Sequence, residues 1–161
     1  MQFRHMPQQA KLVTHSGKFL VNIGQERCFD LKIDHIAIVV NNVEEATKAY
    51  QEALDVKEVE FETVESEGVK VAILHLENAN IELMEPTTDS SPIKKFLEKR
   101  GNGLHHIALE TKNIEDEVTR MEGCGIQFLG KIRPGSAGTK VTFIHPKSLN
   151  GVLTELCSKQ N

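Results

Sequence analysis

Short stretches of alternating apolar and polar residues recur along the chain, and two of them are followed by a helical pattern. The first, residues 32–40, is rich in β-branched residues and ends at an Asn-Asn pair, which predicts a strand. Apolar residues then recur every three or four positions, which predicts a helix that starts at Val43 with Asn42 as its N-cap. Three more strands are expected near residues 58–64, 69–76 and 79–84. This half therefore has the order β-α-β-β-β.

The second half of the chain repeats this order. Around His35 stand the letters I-D-H-I-A-I-V-V-N-N-V-E-E, and around His106 they return without a gap as L-H-H-I-A-L-E-T-K-N-I-E-D. A strand is predicted at residues 104–110 and a helix from the cap Asn113 to about residue 122. Strands should follow near residues 127–132, 140–144 and 152–157. We therefore expect a duplicated unit, with module one at about residues 31–86 and module two at about 103–158.

Two segments lie outside the repeat. Between the modules, Ser91 as cap, Pro92 at the first helical position and Gly101 at the end predict a linker helix over residues 91–100. Residues 1–30 are interrupted by Pro and Gly around one possible strand at 18–23, so we expect an N-terminal appendage to a domain of residues 31–161. Its acidic residues and its lack of an amphipathic period argue against a targeting segment.

The composition narrows the class of protein. With 161 residues, 39% of them hydrophobic, the chain is long enough for one globular domain with a core. A net charge of −4, a single Tyr and no Trp argue against a nucleic-acid partner. The three cysteines lie far apart without a C-x-x-C pair, which argues against disulfides and thiolate metal sites. No apolar run is long enough for a membrane span, so a cytoplasmic protein without a membrane partner is expected.

Each copy carries one His in its first strand and one Glu in its last strand. These pairs are His35 with Glu82, and His106 with Glu155. A lone carboxylate in an apolar strand is costly unless it is paired or bound to a metal. Taken singly, such a His is more often a hydrogen-bonded structural residue, and such a Glu more often lies on a solvated edge. Because the pair is repeated at nearly equal spacing, we interpret all four residues as metal ligands.

Two imidazoles and two carboxylates suit one divalent ion, such as Co²⁺, Zn²⁺, Mn²⁺, Ni²⁺ or Fe²⁺, in five- or six-fold coordination. The sequence does not select among these metals. Four protein ligands leave two octahedral positions for water or for a substrate that presents two oxygens. His105 is interpreted as a core residue or as a second-layer residue behind the ligands, whereas His75 and His145 have no counterpart in the repeat.

Several sequence motifs contain residues that a metal site alone would not require, among them E-G-V-K-V-A-I-L, I-E-L-M-E-P and H-P-K-S. With the repeated His and Glu pairs, they resemble the vicinal oxygen chelate superfamily and, within it, the methylmalonyl-CoA epimerase family, over about residues 33–157. The resemblance implies an α+β fold in which two β-α-β-β-β modules form a curved, half-open, eight-stranded mixed sheet around a metal cleft. It implies the same four ligands, although some family members have Gln in place of Glu82.

The resemblance also implies an activity. A metal-dependent epimerase would move the α-proton of methylmalonyl-CoA from one face to the other through a metal-chelated enolate. Glu155 is the first candidate for a catalytic acid or base. Some family members have a second Glu where this chain has Val71, so the second role is assigned to Glu65, Glu67 or water. An acyl-CoA substrate and a homodimer are expected.

For the far end of the substrate, the turn of residues 134–139 and the H-P-K-S string are candidates. Ser136 and Gly138 would hold a carboxylate through the turn, and Lys147 would contact an anionic group. The alternative interpretation is an ordinary hairpin turn and a surface lysine.

Other activities on the same scaffold remain open. A glyoxalase I-like lyase, acting on a glutathione or other thiol hemithioacetal, would use the same type of ligand set, and a thiol transferase that confers drug resistance would use the same scaffold. A ring-cleaving dioxygenase is disfavoured because Glu82 would occupy a coordination position that it needs. A metal-free drug-binding resistance protein should line its cleft with aromatic residues, and this chain has seven Phe, one Tyr and no Trp.

Overall fold

The computed structural model describes residues 10–15, 18–23 and 31–159. Strands β1 (Ala10–His15) and β2 (Lys18–Ile23) pair in antiparallel as a separate two-stranded sheet. The strand predicted at residues 18–23 is thus present, the strand at residues 10–15 was not predicted, and the other residues of the predicted appendage lie outside the described ranges. The boundary at residue 30, between the N-terminal appendage and the domain that follows, stays a prediction.

The remaining elements follow the duplicated order. Module one contains β3 (Lys32–Val39), α1 (Val43–Leu54), β4 (Val59–Val64), β5 (Val69–His75) and β6 (Asn80–Pro86). The linker helix is α2 (Lys94–Arg100). Module two contains β7 (Gly103–Glu110), α3 (Ile114–Gly123), β8 (Arg133–Pro134), β9 (Thr139–Ile144) and β10 (Thr154–Lys159). Short 3₁₀ turns occupy Ser136–Gly138 and Pro146–Leu149.

Strands β3 to β10 form one sheet with the order β4-β5-β6-β3-β7-β10-β9-β8. The first strands of the two copies, β3 and β7, lie side by side in antiparallel at its centre. Each of them pairs in parallel with the last strand of its own copy, β3 with β6 and β7 with β10. The predicted α+β class and mixed eight-stranded sheet around a cleft are therefore confirmed. The topology brings every strand that carries a predicted ligand to the middle of the sheet.

The two predicted helix caps are confirmed. The side-chain oxygen of Asn42 accepts a hydrogen bond of 2.8 Å from the backbone N–H of Glu45, and Asn113 accepts one of 3.0 Å from the N–H of Asp116. These bonds satisfy amides that a helix N-terminus leaves without an intrahelical partner. The caps fix where each helix leaves its first strand.

The two faces of the sheet have different roles. On the outer face, α1 packs over a core that includes Val43, Leu74 and Leu83, each fully buried. On the other face, Ala37 and Val39 follow His35 along β3 and are also fully buried. The predicted alternation along this strand is thus confirmed, and it separates the helix-packing face from the face that carries the histidine.

The strand predicted at residues 127–132 is wrong. Within it the structure has only an isolated bridge between Phe128 and Ile144, and the strand β8 is a two-residue segment that begins at Arg133. The backbone of Gln127 and Leu129 still bonds to the backbone of His145 and Phe143, but the carbonyl of Gly130 accepts its hydrogen bond from the Thr142 hydroxyl. Apolar content alone did not reveal this interruption.

The linker helix also begins later than predicted. It starts at Lys94, whose N–H bonds to the carbonyl of Ser91 at 3.1 Å, so residues 91–94 form a turn before the helix. The Ser91 hydroxyl is buried and has no hydrogen-bond partner, which means that it does not cap the helix. The predicted end is confirmed, since Gly101 terminates the helix with φ of 71°, a left-handed value that glycine adopts without strain. Among the described residues, no helix has the length and apolar character needed to cross a membrane.

Candidate metal centre

Three of the four predicted ligands meet at the centre of the sheet. His35 on β3, His106 on β7 and Glu155 on β10 each offer a donor atom, and these atoms lie within 4.8 Å of one another. The two Nε2 atoms are 3.1 Å apart, and the Nε2 of His106 is 3.3 Å from a carboxylate oxygen of Glu155. All three residues are buried, with exposures of 7%, 5% and 8%.

These separations fit one shared cation. A first-row metal binds imidazole nitrogen at about 2.1 Å, so two ligands at adjacent octahedral positions are about 3.0 Å apart. The observed contacts of 3.1 Å and 3.3 Å are close to that spacing. The donor set combines imidazole and carboxylate, which divalent first-row metals accept. The arrangement therefore fits the ion that the sequence predicts.

Glu82 lies beside this group rather than within it. It stands on β6 opposite Ala37 of β3, and its carboxylate oxygen is 3.5 Å from the Nδ1 atom of His35. The nitrogen that faces His106 is the other one, Nε2. The ligand role of Glu82, like the roles of the other three residues, stays a prediction.

The electrostatics of the group favour a cation. Burial raises the pKa of Glu82 above its ordinary value. Burial opposes protonation of His35, but the hydrogen bond that its ring donates to Asp34 and the charges of Glu82 and Glu155 outweigh it, and the pKa of His35 is raised. That hydrogen bond also lowers the pKa of Asp34. Positive charge at the centre of this group is thus stabilised by its acidic neighbours.

A cavity of about 490 Å³ opens onto the group. Its volume lies in the range of small-molecule sites. His35, Glu82, His106 and Glu155 form its polar end. Most of the wall is apolar, and the residues that form it include Val64, Val69, Val71, Met84, Ile93, Val141 and Phe143. A reacting group held there is surrounded by side chains that displace water.

An ion pair crosses the mouth of the cavity. An Nη atom of Arg133 in module two donates to a carboxylate oxygen of Glu67 in module one at 2.8 Å, and both residues line the cavity. The Arg133 guanidinium also lies 6.0 Å from the ring centre of Phe143, whose ring contacts His106 edge-on. Sequence reasoning proposed Glu67 as an acid but missed Arg133, because nothing local distinguishes it from a surface arginine.

The other predicted contacts divide into two groups. Ser136 lines the cavity, in a 3₁₀ turn that also contains Gly138, whose φ is 71°. Lys147 is exposed and is not among the residues that line the cavity. Glu65 is likewise exposed and outside the lining, whereas Val71, at the position where some family members have Glu, forms part of the apolar wall.

Two further residues touch the histidines. Asp34, which sequence reasoning did not single out, has a carboxylate oxygen 2.9 Å from the Nδ1 atom of His35. His105 has its Nδ1 atom 2.8 Å from the Nδ1 atom of His106, and its interpretation as a second-layer residue stays a prediction. Burial lowers the pKa of His105 to about 4, so its imidazole is neutral at physiological pH. The repeat itself aligns Asp34 with His105, and that alignment is the signal that was available in the sequence.

The chain is similar to known proteins. A family model described as glyoxalase/bleomycin resistance protein/dioxygenase superfamily matches residues 34–143. An ethylmalonyl-CoA/methylmalonyl-CoA epimerase of Cereibacter sphaeroides is 37% identical over 128 residues, which cover 78% of this chain and 96% of the relative.

Solved structures with a similar fold are also known. A hypothetical protein of Bacillus halodurans C-125 superposes with a TM-score of 0.78 at 40% identity, covering 81% of this chain and 96% of that one. A variant of Streptomyces coelicolor methylmalonyl-CoA epimerase, solved in complex with 2-nitronate-propionyl-CoA, superposes with a TM-score of 0.74 at 32% identity, covering 80% and 94%.

Proposed function

We propose that this chain, which belongs to the glyoxalase/bleomycin resistance protein/dioxygenase superfamily, is a metal-dependent epimerase of methylmalonyl-CoA or a similar malonyl-type thioester. The observation that supports this most is the buried cluster of His35, His106 and Glu155 at the polar end of a cavity whose wall is mostly apolar. Relatives named as epimerases of such thioesters share the fold over most of the chain. The substrate in this proposal is an acyl-CoA.

The predicted ligands His35, Glu82, His106 and Glu155 would hold one divalent ion of the Co²⁺, Zn²⁺, Mn²⁺, Ni²⁺ or Fe²⁺ type. A bound ion of this kind supplies positive charge that offsets the negative charge which develops on the substrate oxygens when the α-carbon loses its proton. The apolar wall strengthens that attraction because it keeps water away from the charges. The transfer of the α-proton itself is left to side chains of this protein.

Epimerisation requires one group that removes the α-proton and a donor that returns a proton on the opposite face. Glu67, Glu82 and Glu155 are the carboxylates among the described residues that line the cavity. Glu155 lies at the buried end and is proposed as one acid or base. Val71 has no group that can transfer a proton to the opposite face of the substrate's α-carbon. We therefore propose Glu67 or a water molecule for that role.

The epimerase proposal is tested by hydrogen exchange. Incubation of the metal-loaded protein with methylmalonyl-CoA in D₂O should place deuterium at the α-carbon, and mass spectrometry measures it. The hemithioacetal of methylglyoxal and glutathione, offered in parallel, should remain unconverted. Conversion of the hemithioacetal without deuterium incorporation, for every metal of the set, would replace the epimerase by the glyoxalase alternative.

Arg133 is expected to contribute to substrate binding at the mouth of the cavity. It already binds the carboxylate of Glu67, so it is placed to receive an anionic group of an acyl-CoA. A hydrogen bond to a charged group contributes about 1.5–3 kcal/mol, and less when it is solvated. Since the Arg133 side chain is 47% exposed, Arg133→Ala should raise KM roughly three- to ten-fold.

Steady-state kinetics over a range of acyl-CoA concentrations measure this effect. The exposed neighbour Lys131, which does not line the cavity, provides the matched control in Lys131→Ala. Equal KM values for the two variants would show that Arg133 does not contribute to substrate binding.

One structural observation bears on the metal-free alternative. Among the described residues that line the cavity, Phe143 is the single member of the Phe, Tyr and Trp group. A cleft built to sequester a planar drug should present several aromatic rings. We therefore favour both the epimerase and the glyoxalase over a metal-free drug-binding protein.

A homodimer is also proposed. Strand β4 forms one edge of the eight-stranded sheet, and Phe61 on it is 52% exposed. Exposed sheet edges are commonly covered by pairing with another chain. Light scattering coupled to size-exclusion chromatography should therefore give the mass of a dimer.

A further inference from the structure

The strands that carry the two histidines pair with each other, and their pairing slips twice. On β3, Ile33 faces Leu109 and His35 faces Ala108, so that the intervening Asp34 has no partner on β7. Asp34 is thus the extra residue of a bulge. Bulges bend a strand and change the direction of a side chain, and they occur often beside active sites.

The second slip is the counterpart of the first on the other strand. Ala37 faces His106 and Ile38 faces Leu104, so the extra residue is now His105 on β7. In both copies the extra residue immediately precedes the histidine of the metal centre. The duplication has therefore placed two equivalent irregularities on either side of one site.

The bulges bring these two side chains to the histidines. In a regular strand, the residue before a histidine would point to the opposite face of the sheet. Instead, the Asp34 carboxylate lies 2.9 Å from Nδ1 of His35, and Nδ1 of His105 lies 2.8 Å from Nδ1 of His106. Each contact occupies Nδ1, and the two Nε2 atoms face each other at 3.1 Å.

We infer that Asp34 and His105 are an equivalent pair of positioning residues that fix the imidazoles of His35 and His106 with Nε2 directed toward the cation. This inference rests on the metal centre of the proposed function. An imidazole that offers the Nε2 lone pair to a cation carries its proton on Nδ1, and that N–H needs an acceptor. The Asp34 carboxylate is one acceptor, and the Nδ1 lone pair of His105 is the other.

The environment of His105 supports this arrangement. When its Nδ1 accepts from His106, the proton of His105 lies on its own Nε2. Phe96 of the linker helix packs edge-on against the His105 ring, with centroids 5.1 Å apart and planes at 78°. The linker helix therefore limits rotation of the ring that in turn orients His106. Asp34 instead offers a charged acceptor, which makes the stronger hydrogen bond.

The test compares variants that remove the acceptor with variants that keep one. Asp34→Ala and His105→Phe remove it, and the Phe side chain retains a ring of similar shape. Asp34→Asn and His105→Gln each keep an oxygen able to accept from Nδ1–H. Exposed Asp89 and the half-exposed His75, neither of which lines the cavity, provide the controls Asp89→Asn and His75→Gln.

Three quantities are measured on each purified full-length protein. They are the Co²⁺ dissociation constant by competition with a chelator, the absorption spectrum of bound Co²⁺, and the thermal unfolding temperature of the metal-free protein. Loss of an orienting partner weakens metal binding by roughly 10- to 100-fold. We expect that loss for Asp34→Ala and His105→Phe, a smaller loss with Asn or Gln, a shifted Co²⁺ spectrum, and control-like unfolding temperatures.

Each outcome is decisive. Dissociation constants within about two-fold of the controls, or a lower unfolding temperature without weaker Co²⁺ binding, would assign these residues a purely structural role and overturn the inference. A wild-type protein that binds no Co²⁺ would also overturn it. If Asp34→Ala or His105→Phe prevents folding, Asp34→Asn and His105→Gln test the inference instead, because they should still weaken Co²⁺ binding. Weakened Co²⁺ binding without deuterium exchange on methylmalonyl-CoA would retain the inference and reject the epimerase.

Discussion

Glu155→Gln should abolish most α-proton exchange of methylmalonyl-CoA, whereas Glu82→Gln should leave exchange within about ten-fold of the wild-type protein. The two residues occupy equivalent positions in the two copies, on the last strand of each, but the structure separates their surroundings. Glu155 contacts Nε2 of His106 and belongs to the compact cluster, while Glu82 contacts Nδ1 of His35 from outside it. The resemblance adds that some family members have Gln at position 82.

The size of the Glu155 effect follows from the role proposed for it. A positioned acid or base contributes roughly 10²–10⁴-fold, and a Gln amide can neither accept nor return the proton. Deuterium incorporation at the α-carbon, followed by mass spectrometry with metal at saturation, measures the rate. The same change at exposed Glu122 of α3 is the control for the substitution itself. Equal losses at positions 82 and 155, or none at position 155, would refute the assignment of Glu155.

The parts of the fold that follow local rules could be predicted from the sequence. The caps Asn42 and Asn113 depend on a residue and the amide three positions later, so the pattern contained all the information. The eight-stranded mixed sheet was expected from the family resemblance, whereas the order of its strands is known only from the structure. The failed strand at residues 127–132 shows the limit, since its pairing is reduced to one isolated bridge with Ile144, a contact outside the segment's own pattern.

The candidate site was predictable where the repeat duplicated a residue type, and otherwise it was not. The His and Glu pairs stood out because the same two chemistries recur. Asp34 and His105 occupy equivalent positions but differ in type, and their contact with the histidines depends on bulges that no periodicity reveals. The ion pair of Arg133 with Glu67 joins residues of different modules, so only the folded chain brings them together.

The last prediction concerns the residue with the most contacts in the centre. His106 meets the Nε2 atom of His35, the Glu155 carboxylate, the Nδ1 atom of His105 and the ring of Phe143. His106→Ala removes a proposed ligand rather than the partner of one. Its effect on the Co²⁺ dissociation constant should therefore exceed the roughly 10- to 100-fold loss expected for an orienting residue.

The expected result is a wild-type protein that retains about one divalent ion per chain after dialysis and a His106→Ala protein that retains almost none, as measured by elemental analysis. Because the alanine leaves a cavity in a buried position, circular dichroism must show that the variant is folded, and His106→Gln provides a second variant of more similar size. His75→Ala, at a histidine outside the cavity, should keep its metal. His35→Ala should behave like His106→Ala, since the duplication gives both imidazoles the same task. A His106→Ala protein that keeps its metal would show that the cation binds elsewhere, because no ion held between two buried Nε2 atoms can lose one of them without a large loss of affinity.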